Sequence, residues 1–256
     1  MNHVTHNESI IDQFTKQAIP FSQKSQLSSD EILDLMVTTC GTTARDRVLD
    51  VACGPGLTAC AFAKVAASVT GIDITPAMIE RAKARQVKMG LKNLSWEVGD
   101  VTSLPYPNDS FSLVITRYSF HHLLNPRAVL AEMKRVCEPD GRVMVMDAAP
   151  EPGSVEAYNR MEKLRDPSHT RALPAEELLR MTREAGLARI RTASCNVEFE
   201  LEKTLAASFP NPGDDDEVRQ IFLNDLVTGA LGMGTHKRGD EIYFHYPTVI
   251  IVGEKQ

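Results

Sequence analysis

The sequence predicts an α/β protein built around a parallel β-sheet, and three observations support this fold class. Short runs rich in β-branched residues alternate with helical patterns along most of the chain, as in consecutive βαβ units. The first run ends in a Gly-Pro-Gly turn that opens directly into an alanine-rich helical segment. The chain has 256 residues, 43% of them hydrophobic and 24% charged, which is ordinary for a globular protein with a sizeable core. We expect one domain over residues 1–256, since domains rarely exceed roughly 250–300 residues before splitting.

The individual elements follow from apolar runs and from the residues that punctuate them. Thr75-Pro76 and Asn125-Pro126 mark helix starts, because a capping side chain followed by proline suits the first turn, and Gly90 and Gly186 mark helix ends. The predicted strands are Arg47–Ala52, Ser68–Asp73, Leu94–Val98, Phe111–Thr116, Arg142–Ala149, Arg189–Glu198 and Ile242–Val252. The predicted helices are Leu57–Ala67, Pro76–Met89, Pro126–Cys137 and Ala175–Ala185.

Three segments lie outside this alternation. Residues 1–45 carry two predicted helices, the second opened by a capping box from Ser28 to Glu31. Residues 150–174 and 201–240 interrupt the later strands, and we expect them near a substrate pocket and not as a second domain. The acidic run Asp214 to Asp216 predicts the solvated N-terminus of a helix.

Charge and cysteine usage narrow the class of protein. The net charge of −6 and the isoelectric point of about 5.7 give no basic footprint, which argues against a nucleic-acid partner. The five cysteines are widely spaced without a Cys-x-x-Cys pair, so we expect reduced thiols and no metal site. No apolar signal region and no apolar run of about 18 residues is visible, so we expect a cytoplasmic protein that does not enter a membrane.

The strongest functional signal is the segment LDVACGPG, Leu49 to Gly56. Its glycines allow a ligand to approach the backbone closely at the carboxyl end of a buried strand, although such a turn is also a common structural connection. Asp73 ends the second strand, where a carboxylate can accept hydrogen bonds from ribose hydroxyls, and Asp100 follows the third strand. Three such strand ends in succession predict a pocket for a cation that carries an adenosine group.

These motifs resemble those of the class I S-adenosylmethionine-dependent methyltransferases. The matching pieces are LDVACGPG, GIDI (Gly71 to Ile74), GDVTSLPYPNDSF (Gly99 to Phe111) and EMKRVCEPDGRV (Glu132 to Val143), in the order and spacing of the family. The nearest resemblance is to the small-molecule methyltransferases of ubiquinone and menaquinone biosynthesis. It implies a Rossmann-like, doubly wound, seven-stranded and mostly parallel sheet with the last strand antiparallel, plus N-terminal helices and a small helical cap.

The resemblance also implies how the chain is divided and which residues hold S-adenosylmethionine. Residues 1–45 would form an N-terminal helical lid, residues 46–149 the cofactor-binding core, and the two insertions a cap over the substrate. Ala52, where many members have glycine, should tighten the turn slightly. The implied contacts are Asp50, Ala52, Gly54 and Gly56 around the methionine portion, Asp73 on ribose, Ile74, Asp100 and Val101 on adenine, and Arg117 after the fourth strand.

Two other functions remain open from the residues alone. Gly54, Gly56 and Ala59 satisfy G-x-G-x-x-A, and Asp73 lies 19 residues after Gly54, as in an NAD-dependent oxidoreductase. A pyrophosphate does not require the extra carboxylates of Asp50 and Asp100, and a carboxylate near it would repel it, which disfavours the oxidoreductase alternative. A non-catalytic S-adenosylmethionine-binding protein would show the same motifs.

The methyl acceptor is expected to be a small molecule that offers oxygen, nitrogen or carbon. No NPPY, DPPY or Pro-Cys motif follows the fourth strand, where modifiers of DNA, RNA and protein amides carry one. His121 and His122 follow that strand and are the candidate catalytic bases, since histidine ordinarily titrates near pH 6.5. Adjacent side chains on a regular backbone diverge, so we expect only one of them to face the pocket.

Six further residues are candidate substrate contacts. The N-terminal candidates would belong to the lid, although their spacing also suits one apolar helix face. Two candidates in RDPSHTR could contact an anionic or carbonyl-bearing substrate, or could lie in a solvated linker. The six are Phe14, Gln17, Phe21, Tyr118, His169 and Arg171.

Overall fold

The computed structural model describes residues 5–23 and 30–256, without the side chains of residues 21–23. The predicted capping box at Ser28 and the side chain of Phe21 therefore lie outside the described residues. The helices are α1 (His6–Gln23), α2 (Asp30–Cys40), α3 (Leu57–Ala63), α4 (Pro76–Met89), α5 (Pro126–Val136), α6 (Val155–Arg165), α7 (Ala175–Glu184), α8 (Leu201–Ala206) and α9 (Asp214–Thr228). The strands are β1 (Arg47–Val51), β2 (Ser68–Asp73), β3 (Leu94–Val98), β4 (Phe111–Arg117), β5 (Cys137–Ala148), β6 (Leu187–Glu200), β7 (His236–Arg238) and β8 (Glu241–Lys255).

The strands form one sheet in the order β3-β2-β1-β4-β5-β8-β6. The pairs β1–β2, β1–β4, β2–β3 and β4–β5 are parallel, and β8 runs antiparallel between β5 and β6. This confirms the predicted mostly parallel sheet with its last strand antiparallel. The short β7 was not predicted, because three residues paired to β8 through a two-residue turn leave no hydrophobic pattern in the sequence.

Helices cover both faces of the sheet. Leu49, Val51 and Val114 pack on one side with α5 and α7. Val48 and Leu113, each one position before a residue of the first group, pack on the other side of the sheet with α2 and α3. A central parallel strand is buried on both faces for this reason, and its only open groups lie at its ends.

Most differences from the predicted boundaries have local causes. β1 ends at Val51 because Ala52 has a positive φ of 56° and already belongs to the turn. β5 begins at Cys137, five residues before the predicted start, because Cys137 pairs with Phe111 before the register shifts.

Within the described ranges, no helix is both long and apolar enough to cross a membrane. The five cysteines are free thiols.

Both insertions are largely helical. Residues 150–174 contain α6, and residues 201–240 contain α8 and α9. They share a hydrophobic cluster that includes Tyr158, Phe222 and Phe244. The acidic run forms the first turn of α9 as expected, and Asp215 pairs there with Arg219.

The turn after β1 depends on glycine for two reasons. Gly54 and Gly56 have φ values of 51° and 73°, in the left-handed region. A Cβ atom on Gly56 would lie 2.7 Å from Trp96 Cη2 and 2.9 Å from the Cβ of Ala82. Gly56 therefore lets α3 begin where α4 and the β3 side chain Trp96 pack closely against it.

We predict that Gly56→Ala lowers the free energy of unfolding more than Gly90→Ala. Gly90 ends α4 with φ 65°, and no described atom lies within 4 Å of its hypothetical Cβ. It should show the left-handed strain alone, about 1–2 kcal/mol. Gly56→Ala should lose about 1–3 kcal/mol more, the usual effect of overpacking. Urea denaturation of both variants would measure the difference, and equal losses would show that the contact with Trp96 is unimportant.

Candidate active site

The carboxyl ends of five parallel strands meet along one edge of the sheet. In sheet order these ends carry Asp100 after β3, Asp73 on β2, the Ala52–Gly54 turn after β1, Arg117 on β4 and Asp147 on β5. Neighbouring strands lie about 4.8 Å apart, so polar groups follow one another at regular intervals. This edge is where open α/β sheets bind ligands.

A cavity of about 220 Å³ lies at this edge. Helix α1 covers part of it, through His6, Asn7, Ile10 and Phe14. Most of the predicted cofactor residues line its wall, namely Ala52, Gly54, Asp73, Ile74, Asp100, Val101 and Arg117.

Asp73 joins the turn after β1 to the start of α4. Its Oδ2 accepts a hydrogen bond of 2.8 Å from the Gly54 N–H, and its Oδ1 accepts one of 2.8 Å from the Thr75 N–H. Burial raises the pKa of Asp73, and these two backbone donors oppose the rise. Each carboxylate oxygen keeps a further lone pair, so the held side chain can accept hydrogen bonds from a diol in the cavity.

Asp100 is fixed at the far end of the same cavity. Its Oδ1 accepts hydrogen bonds of 2.8 Å from both the N–H and the hydroxyl of Thr102, and its Oδ2 accepts one of 2.9 Å from Asn7. Burial alone would raise the pKa of Asp100, but these donors outweigh it and hold the pKa below the ordinary value. Ile74 and Val101 supply an apolar wall beside it.

Two predicted contacts, Asp50 and Gly56, lie behind the cavity wall and do not line it. Asp50 is buried, burial raises the pKa of its carboxyl to about 8, and its Oδ2 has no hydrogen-bond partner among the described residues. Gly56 serves the packing of α3 against α4 and Trp96. Neither residue lines the cavity, because the strand buries Asp50 and the helix packing uses Gly56, so their direct contact with the cofactor stays a prediction.

A second, smaller cavity of about 80 Å³ adjoins the first. Three side chains, Phe14, Tyr118 and His122, line both cavities. The other walls of the second cavity come from α1, the 3-10 turn Phe120–His122, the helical insertions and β8. They include Gln17, His121, Tyr158, Glu162, Arg165 and Tyr246.

His121 forms a buried pair with Asp147, which lies near the end of β5. The ring Nδ1 lies 2.5 Å from Asp147 Oδ1, and Asp147 Oδ2 accepts a hydrogen bond from the Phe120 N–H. A carboxylate acceptor fixes the proton on Nδ1 and leaves Nε2 as the ring nitrogen available to the second cavity. Burial pushes the pKa of His121 down, but the charge and hydrogen bond of Asp147 outweigh it, so the pKa lies above the ordinary value.

His122 is held differently. Its Nδ1 lies 3.1 Å from the hydroxyl of Ser168, which itself donates to Asp166 at 2.6 Å. The imidazole therefore donates from Nδ1 to Ser168. Burial, helped by the neighbouring His121, lowers the pKa of His122 to about 4, so this ring is neutral at physiological pH.

Both histidines line the second cavity, so the expectation that only one of them faces a pocket is wrong. They belong to a 3-10 turn, Phe120–His122, that follows Tyr118 with its positive φ of 51°. The side chains of this irregular backbone do not diverge as on a regular strand, and their ring centroids lie 4.3 Å apart.

The remaining substrate candidates separate into two groups. Gln17 lines the second cavity and donates to Asp166 at 2.9 Å, and the Tyr118 hydroxyl lies 2.9 Å from that of Thr248. His169 and Arg171 line neither cavity. His169 is buried with its Nε2 2.7 Å from Asn159 Oδ1, and Arg171 faces solvent beside Glu156. The segment turns one side chain into the cap and the other outward, so a substrate contact from either stays a prediction that neither cavity supports.

The chain is similar to known methyltransferases over most of its length. Residues 49–145 match the family model described as a methyltransferase domain. An uncharacterised methyltransferase of Bacillus subtilis, YcgJ, is 30% identical over 248 residues, which cover 95% of this chain and 98% of that protein. The chain belongs to this methyltransferase family.

Other relatives agree with that membership. The crystal structure of YcgJ has a TM-score of 0.81 at 28% identity, covering 89% of this methyltransferase and 99% of that chain. The ubiquinone/menaquinone biosynthesis C-methyltransferase UbiE of Bdellovibrio bacteriovorus is 33% identical over 152 residues, 57% of this chain and 64% of that protein. A geranyl diphosphate methyltransferase in complex with S-adenosylmethionine shares the fold, with a TM-score of 0.63 at 15% identity and coverage of 89% and 85%. The resemblance read from the motifs is confirmed, and the oxidoreductase alternative is set aside.

The first cavity of the methyltransferase fits S-adenosylmethionine. Asp73 and Asp100 each offer carboxylate acceptors in this cavity, and Asp100 lies beside the apolar wall of Ile74 and Val101. No described atom lies within 4 Å of a hypothetical Cβ on Gly54, so the backbone there is open to a ligand. Arg117 adds buried nitrogens without a described partner.

Sequence reasoning missed several residues of the site. Asp147 lies two residues before the end of the predicted strand Arg142–Ala149, and this position near a strand end was a usable signal. Asn7 gave none, because its partner Asp100 lies 93 residues away. Glu162 and Arg165 lie three residues apart on α6, a spacing that equally suits an ordinary surface ion pair. Arg165 pairs with Glu162 at 2.6 Å, and the Tyr246 hydroxyl donates to the same carboxylate at 2.8 Å.

We predict that Asp147→Asn lowers the pKa of His121 below 6.5. Removing the carboxylate charge leaves burial as the main influence, and burial favours the neutral ring. Proton NMR titration of the imidazole resonances would follow the change, with the His121 signal identified by its loss in His121→Gln. The His122 signal should keep its low pKa in the variant. An unchanged His121 pKa would mean that the pair with Asp147 does not control this ring.

Proposed function

We propose that this methyltransferase transfers a methyl group from S-adenosylmethionine to an oxygen, nitrogen or carbon nucleophile of a small molecule bound in the second cavity. The observation that carries the proposal is the His121–Asp147 pair in the wall of a cavity that adjoins the cofactor cavity. The shared wall of Phe14, Tyr118 and His122 marks where the two cavities meet, so methyl donor and acceptor can be held in line.

S-adenosylmethionine is the cofactor, and its contacts are part of the proposal. Asp73 would hold the ribose, Asp100 with Ile74 and Val101 the adenine, and the backbone at Gly54 the region nearest the sulfur. When bound, S-adenosylmethionine supplies a methyl group that its sulfonium has already activated. The protein then has to orient the acceptor, exclude water and remove a proton where the nucleophile carries one.

His121 is the proposed base. Asp147 holds the proton on Nδ1, so Nε2 can take the proton of a hydroxyl or an acidic carbon, and the carboxylate stabilises the imidazolium that forms. His122 is a poor base because its pKa is about 4. Two histidines whose surroundings push their pKa values apart indicate different roles, and we assign His122 to shaping the wall.

Helix α1 is the proposed lid. His6 Nε2 donates to the His122 carbonyl at 2.6 Å, and Gln17 donates to Asp166 and to the Ser208 carbonyl. These bonds tie α1 to the walls of both cavities. A closed α1 excludes water from the region where they meet.

The acceptor class and the location complete the proposal. The net charge of −6 and the lack of a basic stripe favour a small molecule over a nucleic acid. The cytoplasmic location rests on the same composition and on the reduced thiols. The second candidate function is binding of S-adenosylmethionine without catalysis. The His121–Asp147 pair disfavours this function, because cofactor binding alone does not require such a pair.

We predict that Asp73→Ala weakens binding of S-adenosylhomocysteine, the reaction product, by about 1.5–3 kcal/mol, the scale of hydrogen bonds to a charged group. Isothermal titration calorimetry would measure it. Asp34→Ala, an exposed carboxylate on α2, is the matched control and should leave the affinity unchanged. Wild-type affinity in Asp73→Ala would contradict the assigned ribose contact.

We predict that His121→Ala lowers turnover by about 10²–10⁴-fold, the usual contribution of a positioned base, while S-adenosylhomocysteine still binds. The assay follows labelled methyl groups from S-adenosylmethionine into the dialysable fraction of a bacterial extract. In the wild type, the rate should rise with pH through one ionisation above 6.5, because the base works as the neutral ring and the pKa of His121 is raised.

His122→Ala is the control for that experiment. It should keep the pH profile but lose about 1–3 kcal/mol of unfolding free energy, since the hydroxyl of Ser168 loses its hydrogen bond from the ring. Wild-type turnover in both variants would mean that no histidine base operates and that the acceptor is an amine already neutral. Label recovered only in nucleic acid or protein would overturn the acceptor class.

A further inference from the structure

Arg117 is a basic side chain in the first cavity that has no role in the proposed mechanism. It is the last residue of β4, next to Thr116, which pairs with Val51 at the end of β1. It lines the first cavity and is not part of the wall of the second. A ligand that meets Arg117 is therefore the cofactor and not the methyl acceptor.

The guanidinium of Arg117 is incompletely satisfied by the protein. Its Nε and Nη2 are buried, and neither has a hydrogen-bond partner among the described residues. The Tyr118 ring lies against the group, with 5.1 Å between Cζ and the ring centroid, and does not satisfy Nε or Nη2. Buried donors without acceptors are costly, so such an edge is expected to meet a ligand.

Within the described ranges, no carboxylate forms a direct ion pair with Arg117. Asp50 is the carboxylate that acts on it most directly, but burial raises the pKa of Asp50 to about 8, which leaves it mostly protonated at pH 7. Asp73 is held by the N–H groups of Gly54 and Thr75. An arginine stays protonated even when burial lowers its pKa, so an anion is needed.

The sheet order indicates which anion this is. Asp100 and Asp73 follow β3 and β2, and β1 separates them from β4, so Arg117 lies at the opposite end of the cavity from the proposed adenine site. A cofactor with adenine at Asp100 and ribose at Asp73 directs its amino-acid portion toward β4. The carboxylate is the one anionic group of S-adenosylmethionine.

We propose that Arg117 is the receptor for the α-carboxylate of the cofactor, with Nε and Nη2 as a two-donor clamp. These two nitrogens form one edge of the guanidinium and match the two oxygens of a carboxylate. The inference rests on the cofactor placement proposed above and is independent of the acceptor. It makes Arg117 a determinant of cofactor specificity, which selects adenosyl compounds that keep the amino-acid carboxylate.

Three ligands test this by calorimetry on the full chain. They are S-adenosylhomocysteine, its decarboxylated analogue S-adenosyl-3-thiopropylamine, and methylthioadenosine, which lacks the amino-acid portion. The wild type should bind S-adenosylhomocysteine on the order of 100-fold more tightly than the decarboxylated analogue, as for one buried bidentate charge pair. Arg117→Met should abolish that difference and leave the affinity for methylthioadenosine unchanged, which also shows that the variant is folded.

Two further variants separate the clamp from the charge. Arg117→Lys keeps the positive charge but lacks the two parallel N–H donors. It should therefore show only part of the wild-type preference for the ligand with the carboxylate. Arg171→Met removes an exposed arginine outside both cavities and should behave as the wild type. A preference for S-adenosylhomocysteine that survives in Arg117→Met would overturn the proposal. Failure of the wild type to bind any of the three would instead overturn the cofactor placement.

Discussion

The pairing order of five parallel strands is the constraint on which the rest of the site depends. Because β4 lies between β1 and β5, the edge of the sheet runs from Asp100 through Asp73 and the glycine turn to Arg117 and then to Asp147. With about 4.8 Å between strands, these polar groups follow one another along a single line. Apolar side chains on both faces hold that order, since a strand buried on both sides cannot move without exposing one of them.

Asp147 connects this sheet edge to the proposed chemistry. It is buried, and although burial raises its pKa, the contact with His121 and its backbone donors hold the pKa below the ordinary value. One carboxylate thus fixes the tautomer of His121, raises the pKa of that ring and receives the Phe120 N–H of the 3-10 turn. The neighbouring His122 lacks such a carboxylate contact, and its pKa falls to about 4. The pKa values of His121 and His122 therefore differ because the groups around the two rings differ.

The helical insertions close the second cavity with buried charges that are paired inside the protein. Glu162 holds Arg165 and accepts from Tyr246, while Asp166 accepts from Ser168 and Gln17. A buried charge that loses its partner is strongly destabilising, so these pairs fix how α1, α6 and β8 meet. The shape of the second cavity follows from that fixed arrangement and not from any single element.

The sequence alone determined the parts of this protein that depend on neighbours along the chain. The strand-turn-helix at Leu49–Gly56 and the carboxylate that ends β2 at Asp73 are local patterns, and both appear where the sequence predicts them. Tertiary structure decided the rest. Asp147 meets His121 across 26 positions and Gln17 meets Asp166 across 149, so no local spacing could reveal either pair. His169 and Arg171 lie two positions apart, yet one is buried beside Asn159 and the other faces solvent beside Glu156. The physical reason is that backbone sterics and short-range hydrogen bonds determine strand ends and glycine turns. The direction of a side chain in an insertion depends instead on packing that exists only after the chain has folded.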